Sequence, residues 1–358
     1  MGAFYFIFCL VALLMQLVAV AWLGRCFPQI GVKWPLLLIS VGSVVMFAGF
    51  TLTRTHQSGL FWHALYYVAY LYLGFVFLTF CLSIGFFILL ILLKSFHVKT
   101  FWLNYASIII LVSAFIMALW GGFSTPKLKK LALQIPGAPT LKLALLSDTH
   151  LGMGVSLNRL DRVLRNIEAE KPDALLVLGD IFEYGPNRAD YAARLRQVNT
   201  PLGSYGVLGN HEYYVGYEGS KQFFKDAGVT LLENQAVRLP NGMQVAGLKD
   251  IRTAHVSARD VENLLGGLDP QQPTILLSHT PLLAETAAAH GADLMLSGHT
   301  HNGQLWPFHY LVKTHFPRVY GLYDVNGMPF YITSGVFYWG IPLRFLAPGE
   351  IVILEVNP

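Results

Sequence analysis

"GADLMLSGHTHNGQ" (291–304) decides how this chain is read. Its first half is a short apolar run, the pattern of a strand buried on both faces. Its second half sets His299 and His301 one residue apart, and side chains at i and i+2 of a strand end project to the same side. Two imidazoles therefore face one spot. The same sequence of apolar run and polar cluster occurs four more times: "LKLALLSDTH" (141–150), "DALLVLGD" (173–180), "GSYGVLGNHE" (203–212) and "TILLSHTP" (274–281).

Helical patterns alternate with these runs. "SLNRLDRVLRNIEAE" (156–170) has Ser156 at its N-cap and Leu157, Leu160, Leu164 and Ile167 on one face. Further helices are expected near 187–198, 219–227 and 281–290. "AVRLPNGMQVAGL" (236–248) reads as a hairpin turned at Asn241-Gly242, and "PFYITSG" (329–335) and "EIVILEV" (350–356) close the chain as strands. The class is α/β, and such sheets gather functional groups at the carboxyl ends of their strands. A single Asp or His at a strand end is usually a turn or cap residue. Five such ends together, two of them with donors at i and i+2, point to a built site.

The donors are imidazole nitrogens and carboxylate or amide oxygens. Sulfur is excluded, because Cys9, Cys26 and Cys81 all lie in the apolar N-terminal part. That set suits Mn, Fe or Zn better than soft metals. Seven donors exceed the needs of one tetrahedral zinc and suit two ions sharing a carboxylate. Two metals about 3.5–4 Å apart are the common device for displacement at phosphorus.

The N-terminal part is of another kind. Of 358 residues 54% are hydrophobic and 13% charged, against about 25% charged in soluble domains, and the mean hydropathy is +0.48. The first acidic residue is Asp148, so the leading stretch carries only cations and the rest is net negative. No basic stripe interleaved with aromatics follows, so no nucleic-acid partner is expected. A span needs about 20 apolar residues, and 3–23, 35–52, 60–93 and 101–120 qualify or nearly so. The third would be about 51 Å long: one tilted helix that projects beyond the bilayer, with a re-entrant hairpin as the alternative. "AVA" (19–21) resembles a signal-peptidase site, but the positive n-region is missing and three more apolar segments follow, so an uncleaved span is preferred.

Arg25 and Lys33 fall in the first loop, Arg54 in the second, and Lys94 and Lys99 in the third. The positive-inside rule then places loops one and three in the cytoplasm and the polar domain outside. Lys127, Lys129 and Lys130 pull the other way. The expected location is the cell (inner) membrane, multi-pass. Span interiors nearly free of ionisable residues read as an anchor rather than a pump.

These motifs resemble those of the calcineurin-like metallophosphoesterase superfamily over residues 140–358, and more closely its membrane-anchored bacterial branch with four N-terminal transmembrane segments. "GIPLRF" (340–345) and "PGEI" (348–351) support that branch. The resemblance implies a transmembrane anchor (1–125), a linker with an edge strand (126–139) and a metallophosphoesterase αββα sandwich (140–358). Carried over position by position, it implies that Asp148, His150 and His301 bind one ion and that Asn210, His279 and His299 bind the other. Asp180 would bridge both. His211 would be the non-ligand histidine that protonates the leaving oxygen or stabilises the transition state. Two departures stand out. "GDIFE" (179–183) has Glu183 where the family has Asp, a position outside the ligand set. "GHTHNGQ" (298–304) has Asn302 where the family has Gly, which could narrow the phosphate pocket.

His63, His255, His290, His309 and His315 get surface or structural roles. No "GxSxG" elbow and no "GxxxxGK" loop is present, so neither serine hydrolysis nor ATP-driven chemistry is supported. Trp306, Phe308, Phe337, Tyr338 and Trp339 are either packing or an apolar rim for an acyl or polyprenyl chain. The expected substrate is a phosphorylated lipid or other membrane-associated phosphoester or pyrophosphate, with soluble nucleotides or phosphodiesters as runner-up. A non-catalytic metal- or phosphate-sensing membrane protein is the reading of a different class.

Overall fold

The structure is a computed structural model that describes every residue except 1, 32, 53–58, 97–99 and 186; the side chains of 2–6, 30, 50 and 52 are also left undescribed. Arg54 and Lys99, two of the loop cations used for orientation, lie outside the described residues. The chain divides into a helical unit, Met1–Phe123 with Gly340–Phe345, and a sheet unit, Ser124–Trp339 with Leu346–Pro358.

The helical unit holds α1 (Gly2–Cys26), α2 (Lys33–Leu52), α3 (Leu60–Ser95) and α4 (Phe101–Phe123). Among the described residues three helices are long and apolar enough to cross a membrane: Ile7–Cys26, Leu60–Ser95 and Phe101–Phe123. The fourth expected span is helical but shorter, with an apolar run of Lys33–Gly49. The long third segment is one continuous helix of 36 residues, with no hairpin in it. Small residues let the helices approach, as membrane helices commonly do: a Cβ on Gly49 would lie 2.1 Å from the Ala69 Cβ. Buried Gln16 ties three helices together, accepting from the Tyr72 hydroxyl at 2.6 Å and donating to Ser43 Oγ at 3.0 Å. Gly340–Phe345 is held by Tyr66, whose hydroxyl donates to Gly340 O (2.6 Å), and by the Arg344 amide, which donates to Ala118 O (2.9 Å).

The sheet unit runs β1 (Lys127–Gln134), β2 (Leu141–Leu146), α5 (Leu157–Ala169), β3 (Ala174–Val177), α6 (Arg188–Arg196), β4 (Ser204–Gly206), α7 (Asn210–Asp226) and β5 (Thr230–Leu231). It continues with β6 (Gln235–Arg238), β7 (Gln244–Gly247), α8 (Ala258–Gly266), β8 (Thr274–Leu277), α9 (Ala284–Ala289) and β9 (Leu294–Ser297). It ends with α10 (His309–Lys313), β10 (Gly321–Val325), β11 (Met328–Ile332) and β12 (Glu350–Asn357). The strands form two six-stranded sheets, ordered β1-β12-β2-β3-β4-β5 and β10-β11-β9-β8-β7-β6. The expected edge strand is β1, parallel to β12.

The near-continuous apolar strands are explained by burial on both faces. Alternate residues point opposite ways. Leu143, Leu145 and Leu176 meet Val245, Ile275, Leu294 and Leu296 between the sheets, while Ala144, Leu146, Leu175 and Val177 meet Leu160, Ile167, Leu195 and Phe224 of α5–α7. On the other side, Ala246, Leu276 and Met295 pack under Val261 and Leu265 of α8 and Ala287 of α9. The layers are therefore α/β/β/α. Because β2, β3 and β4 are parallel, as are β7, β8 and β9, each sheet delivers its polar strand ends to one side.

Candidate metal centre

Each strand end places its donors through backbone that ordinary residues avoid. Asp148 (φ 53), His150 (41), Asp180 (53), His299 (73) and His301 (49) all have positive φ. Such strain persists only where the surroundings over-determine it, and it clusters at functional sites. The neighbouring glycines are set by close approach. A Cβ on Gly298 would lie 2.1 Å from Ser147 Oγ and 2.4 Å from Asp148 Oδ2, and one on Gly209 would lie 2.1 Å from Asp180 Oδ1.

Two clusters result. In the first, His150 Nε2 lies 3.0 Å from His301 Nε2, and His301 Nε2 lies 3.4 Å from Asp148 Oδ1. In the second, His279 Nε2 lies 3.1 Å from Asp180 Oδ2 and 3.2 Å from His299 Nδ1. Each trio brings three donor atoms within 4.8 Å of one another, close enough for one ion. Asp180 faces both: its Oδ2 is also 4.0 Å from His150 Nε2. Asn210 Oδ1 is buried without a hydrogen-bond partner, a state that is costly for an acceptor unless a cation or donor satisfies it. The residues present thus fit divalent ions in donor type, number and spacing.

The surrounding hydrogen bonds fix the rings. His279 Nδ1 is 2.7 Å from Leu178 O, and His150 Nδ1 is 2.7 Å from Glu183 Oε1, so each presents Nε2 inward. Such outer partners orient the rings of metal-binding histidines. Glu183 Oε1 also lies 2.6 Å from His211 Nδ1, so the glutamate set aside as a non-ligand joins one cluster to the candidate acid. Glu212, fully buried, accepts from the amides of Gly209, Asp180 and Ile181 at 2.7–2.8 Å and so ties the β3 and β4 loops together.

Charge divides the site. Burial pushes Asp148 up, with Asp180's charge adding to it against His279 and His150. Burial also opposes ionisation of Asp180, yet the charges of His279 and His211 hold it well below the usual carboxylate range. Burial alone would lower His211, but Glu183 and Asp180 lift it to about 9; Glu183 in turn, despite burial, is held at about 2 by His211 and His150. His299 is depressed to about 3, first by burial and then by the charge of His279, and so stays neutral. His279 rises to about 10 despite burial, because of Asp180. Burial and Asp180 push Glu212 up to about 7 against its three amides.

Comparison with known proteins identifies the family. The family model for the calcineurin-like phosphoesterases matches residues 141–303, from β2 through the "GHTHNG" loop. An uncharacterized metallophosphoesterase of Helicobacter pylori is 34% identical over 254 residues, 69% of this chain and 68% of that one. The chain belongs to the calcineurin-like metallophosphoesterase family. Another uncharacterized member, from Campylobacter jejuni, is 34% identical over 257 residues, 70% of this chain and 68% of that protein. A Bos taurus transmembrane protein with metallophosphoesterase domain is 36% identical over 246 residues, 62% of this chain and 55% of its own length.

Of the eight sequence-assigned residues, Asp148, His150, Asp180, His211, His279, His299 and His301 are linked by the contacts above, and Asn210 stands beside His211 at the start of α7. The five aromatic residues divide between the two readings: Phe337 and Tyr338 are core packing, 2% and 1% exposed, whereas Trp306, Phe308 and Trp339 are 44%, 43% and 53% exposed. The guanidinium of Arg159 lies 4.7 Å from the Phe337 ring centroid, and the Tyr338 hydroxyl donates to Gly154 O. Phe337 belongs to the core cluster that includes Ile351 and Ile353 of β12, and Tyr338 is covered by Arg159 and the Gly154 carbonyl. The helix expected near 219–227 is the second part of α7, joined across a kink at Gly216 (φ 116, ψ 107) to a first part that begins at Asn210, where the Glu212 carboxylate accepts from the Gly209 amide.

Proposed function

We propose that this chain is a membrane-bound phosphoesterase that uses two divalent ions (Mn, Zn or Fe) to hydrolyse phosphoester or pyrophosphate bonds of a lipid-linked or membrane-associated substrate. The observation that carries the reading is Asp180, whose Oδ2 faces a histidine from each cluster. Asp148, His150 and His301 would hold one ion and Asn210, His279 and His299 the other, with Asp180 shared between the two sets. When bound, the ions supply the Lewis acidity that displacement at phosphorus needs. His211 holds a proton at neutral pH, because Glu183 and Asp180 favour its charged form, and gives it to the leaving oxygen. Glu183 keeps the ring in place. A pure metal or phosphate sensor has no use for a buried, proton-holding His211–Glu183 pair, which counts against the non-catalytic reading.

The membrane part is an anchor of four spans, α2 included, with the sheet unit on the non-cytoplasmic side. Support comes from Arg25, Lys33 and Lys94, which lie in the helix ends bordering loops one and three, and from the transmembrane relative. The decisive test is metal analysis of the purified full chain together with hydrolysis of a panel of mono-, di- and pyrophosphate esters, lipid and soluble, with and without Mn²⁺. Two ions per chain and metal-dependent release of phosphate are expected; one ion with full activity overturns the bridge. Fusions after residue 125 with alkaline phosphatase active and green fluorescent protein dark are expected for an outside domain, and the reverse pattern overturns that orientation.

A further inference from the structure

We propose that Tyr214 and Trp339 form the subsite for the leaving group, and that the leaving group is the apolar part of the substrate. This rests on the reading above, in which His211 serves the leaving oxygen, and it adds which side of the scissile bond carries the lipid. The two rings flank the His211 imidazole at centroid distances of 5.3 and 5.5 Å, tilted by 65° and 71°. Both are more than half exposed, Tyr214 at 59% and Trp339 at 53%. Two large aromatic rings converging on one buried imidazole form an exposed apolar surface directly beside the proton it would donate.

Neither ring is placed by chance. Tyr214 is three residues after His211 on α7, so the two share a helical face, and the Tyr184 hydroxyl donates to Tyr214 O at 2.5 Å. Trp339 is gripped by Gln304: its amide donates to Gln304 Oε1 (2.9 Å), and Gln304 Nε2 donates to its carbonyl (3.1 Å). Gln304 is the last residue of the "GHTHNGQ" stretch and sits at φ 57, ψ −48, a sparsely populated backbone region. One loop therefore carries two ligand histidines and positions the tryptophan over the acid.

The chemistry of the occupant follows. The polar groups beside the rings are engaged: the Gln304 amide in Trp339's backbone, and Glu183 between His150 and His211. What a leaving group meets is two exposed ring faces, edged by the Tyr214 hydroxyl and the Trp339 indole N–H, a largely apolar surface that suits an alkyl or prenyl chain. In the hydrolysis, a water oxygen forms the new bond to phosphorus and the bond from phosphorus to the leaving oxygen breaks. That oxygen keeps the electron pair and takes the His211 proton, the phosphate product carries the water's protons and returns one to His211, and the apolar alcohol or phosphate departs along the two rings.

The test uses the full chain in detergent, loaded with Mn²⁺, on whichever ester class the panel shows to turn over. Leaving groups run from methyl to decyl, below micelle-forming concentration, with a nucleoside ester alongside. In the wild type kcat/KM should climb with chain length, by at most about fourfold per methylene and at least about tenfold over the series. Trp339→Ala should lose at least tenfold on the decyl ester, mainly in KM, and far less on the methyl ester. Trp339→Phe should keep most of the climb, Gln304→Ala should mimic Trp339→Ala, and Leu322→Ala, remote from the site, should keep the wild-type profile. A flat wild-type profile, equal losses on short and long esters, or a nucleoside ester that outruns decyl and depends on Trp339 overturns the subsite alone. No turnover of any ester overturns the phosphoesterase reading and the subsite with it. Metal content of each variant separates loss of fold from loss of binding, and the wild-type and Trp339→Phe profiles decide the matter if Trp339→Ala fails to fold.

Discussion

The two sides of Asp180 are built from the same residue types and held in different ways. On one side His279 is oriented by a backbone carbonyl, Leu178 O, and His299 is kept neutral by burial. On the other side His150 and His211 are both oriented by one side chain, Glu183, whose charge lifts His211 to about 9. A backbone partner cannot titrate and cannot be substituted. The His279 side is thus a fixed mount, and the Glu183 side is where chemistry can be tuned and where it can be broken.

Asp180 belongs to both sides, so its change should have the largest effect. Asp180→Asn keeps the shape and removes the charge. Metal content should fall well below two ions per chain, and activity should drop by more than the hundredfold typical of losing an outer hydrogen-bond partner. Retention of two ions would mean that the two sides are independent.

Glu183→Gln breaks only the tunable side. A loss of about 10–100-fold is expected, with metal content little changed. As the proposed acid, His211 would work only while protonated, so the wild-type rate should fall as pH rises through about 9; with Glu183's charge gone, that limb should move to lower pH. An unmoved limb in the pH–rate profile would remove Glu183 from the acid. His211→Ala on the same side should cost about 10²–10⁴-fold on esters with poor leaving groups and less on activated aryl esters.

The smallest effect concerns the loop between the two sides. Asn302 sits at φ 52, a left-handed conformation that Asn tolerates and Ala resists by roughly 1–2 kcal/mol. Asn302→Ala should lower the melting temperature by about 2–4 °C per kcal/mol, and Asn302→Gly should restore or exceed the wild-type value. A lower kcat/KM in the glycine variant would show that the Asn302 side chain, and not only its backbone, shapes the pocket.

What was legible in the sequence follows from how local each signal is. Strands buried on both faces announce themselves as apolar runs, and donors at i and i+2 of their ends announce the site, so Asp148, His150, His299 and His301 could be read directly. Glu183 was visible only as a departure from a motif. Its role depends on two imidazoles from other strand ends converging on it, which no spacing encodes. Glu212 and Gln304 were hidden for the same reason, since each acts on backbone distant in sequence. Helix α8 went unread although Ser257 and Asp260 form a capping box that marks its start. The aromatic stretch 337–339 could not be divided from sequence, because three adjacent large rings carry no mark of which face the core.

The six residues Gly340–Phe345 have a consequence for how this protein can be taken apart. They belong with the helices while the residues on either side belong with the sheets, so the polypeptide passes between the two units three times rather than once. A fragment beginning at Ser124 would keep this segment and discard its hosts: the Tyr66 hydroxyl, the Ala118 carbonyl, and the glycines Gly74, Gly121 and Gly122, whose missing side chains make room for it. Leu343, wholly buried in the intact chain, would be stripped of the Gly74 surface it packs on. The architecture is interleaved rather than modular, and excising a soluble enzyme from it requires rewriting that hexapeptide as well as choosing a cut site.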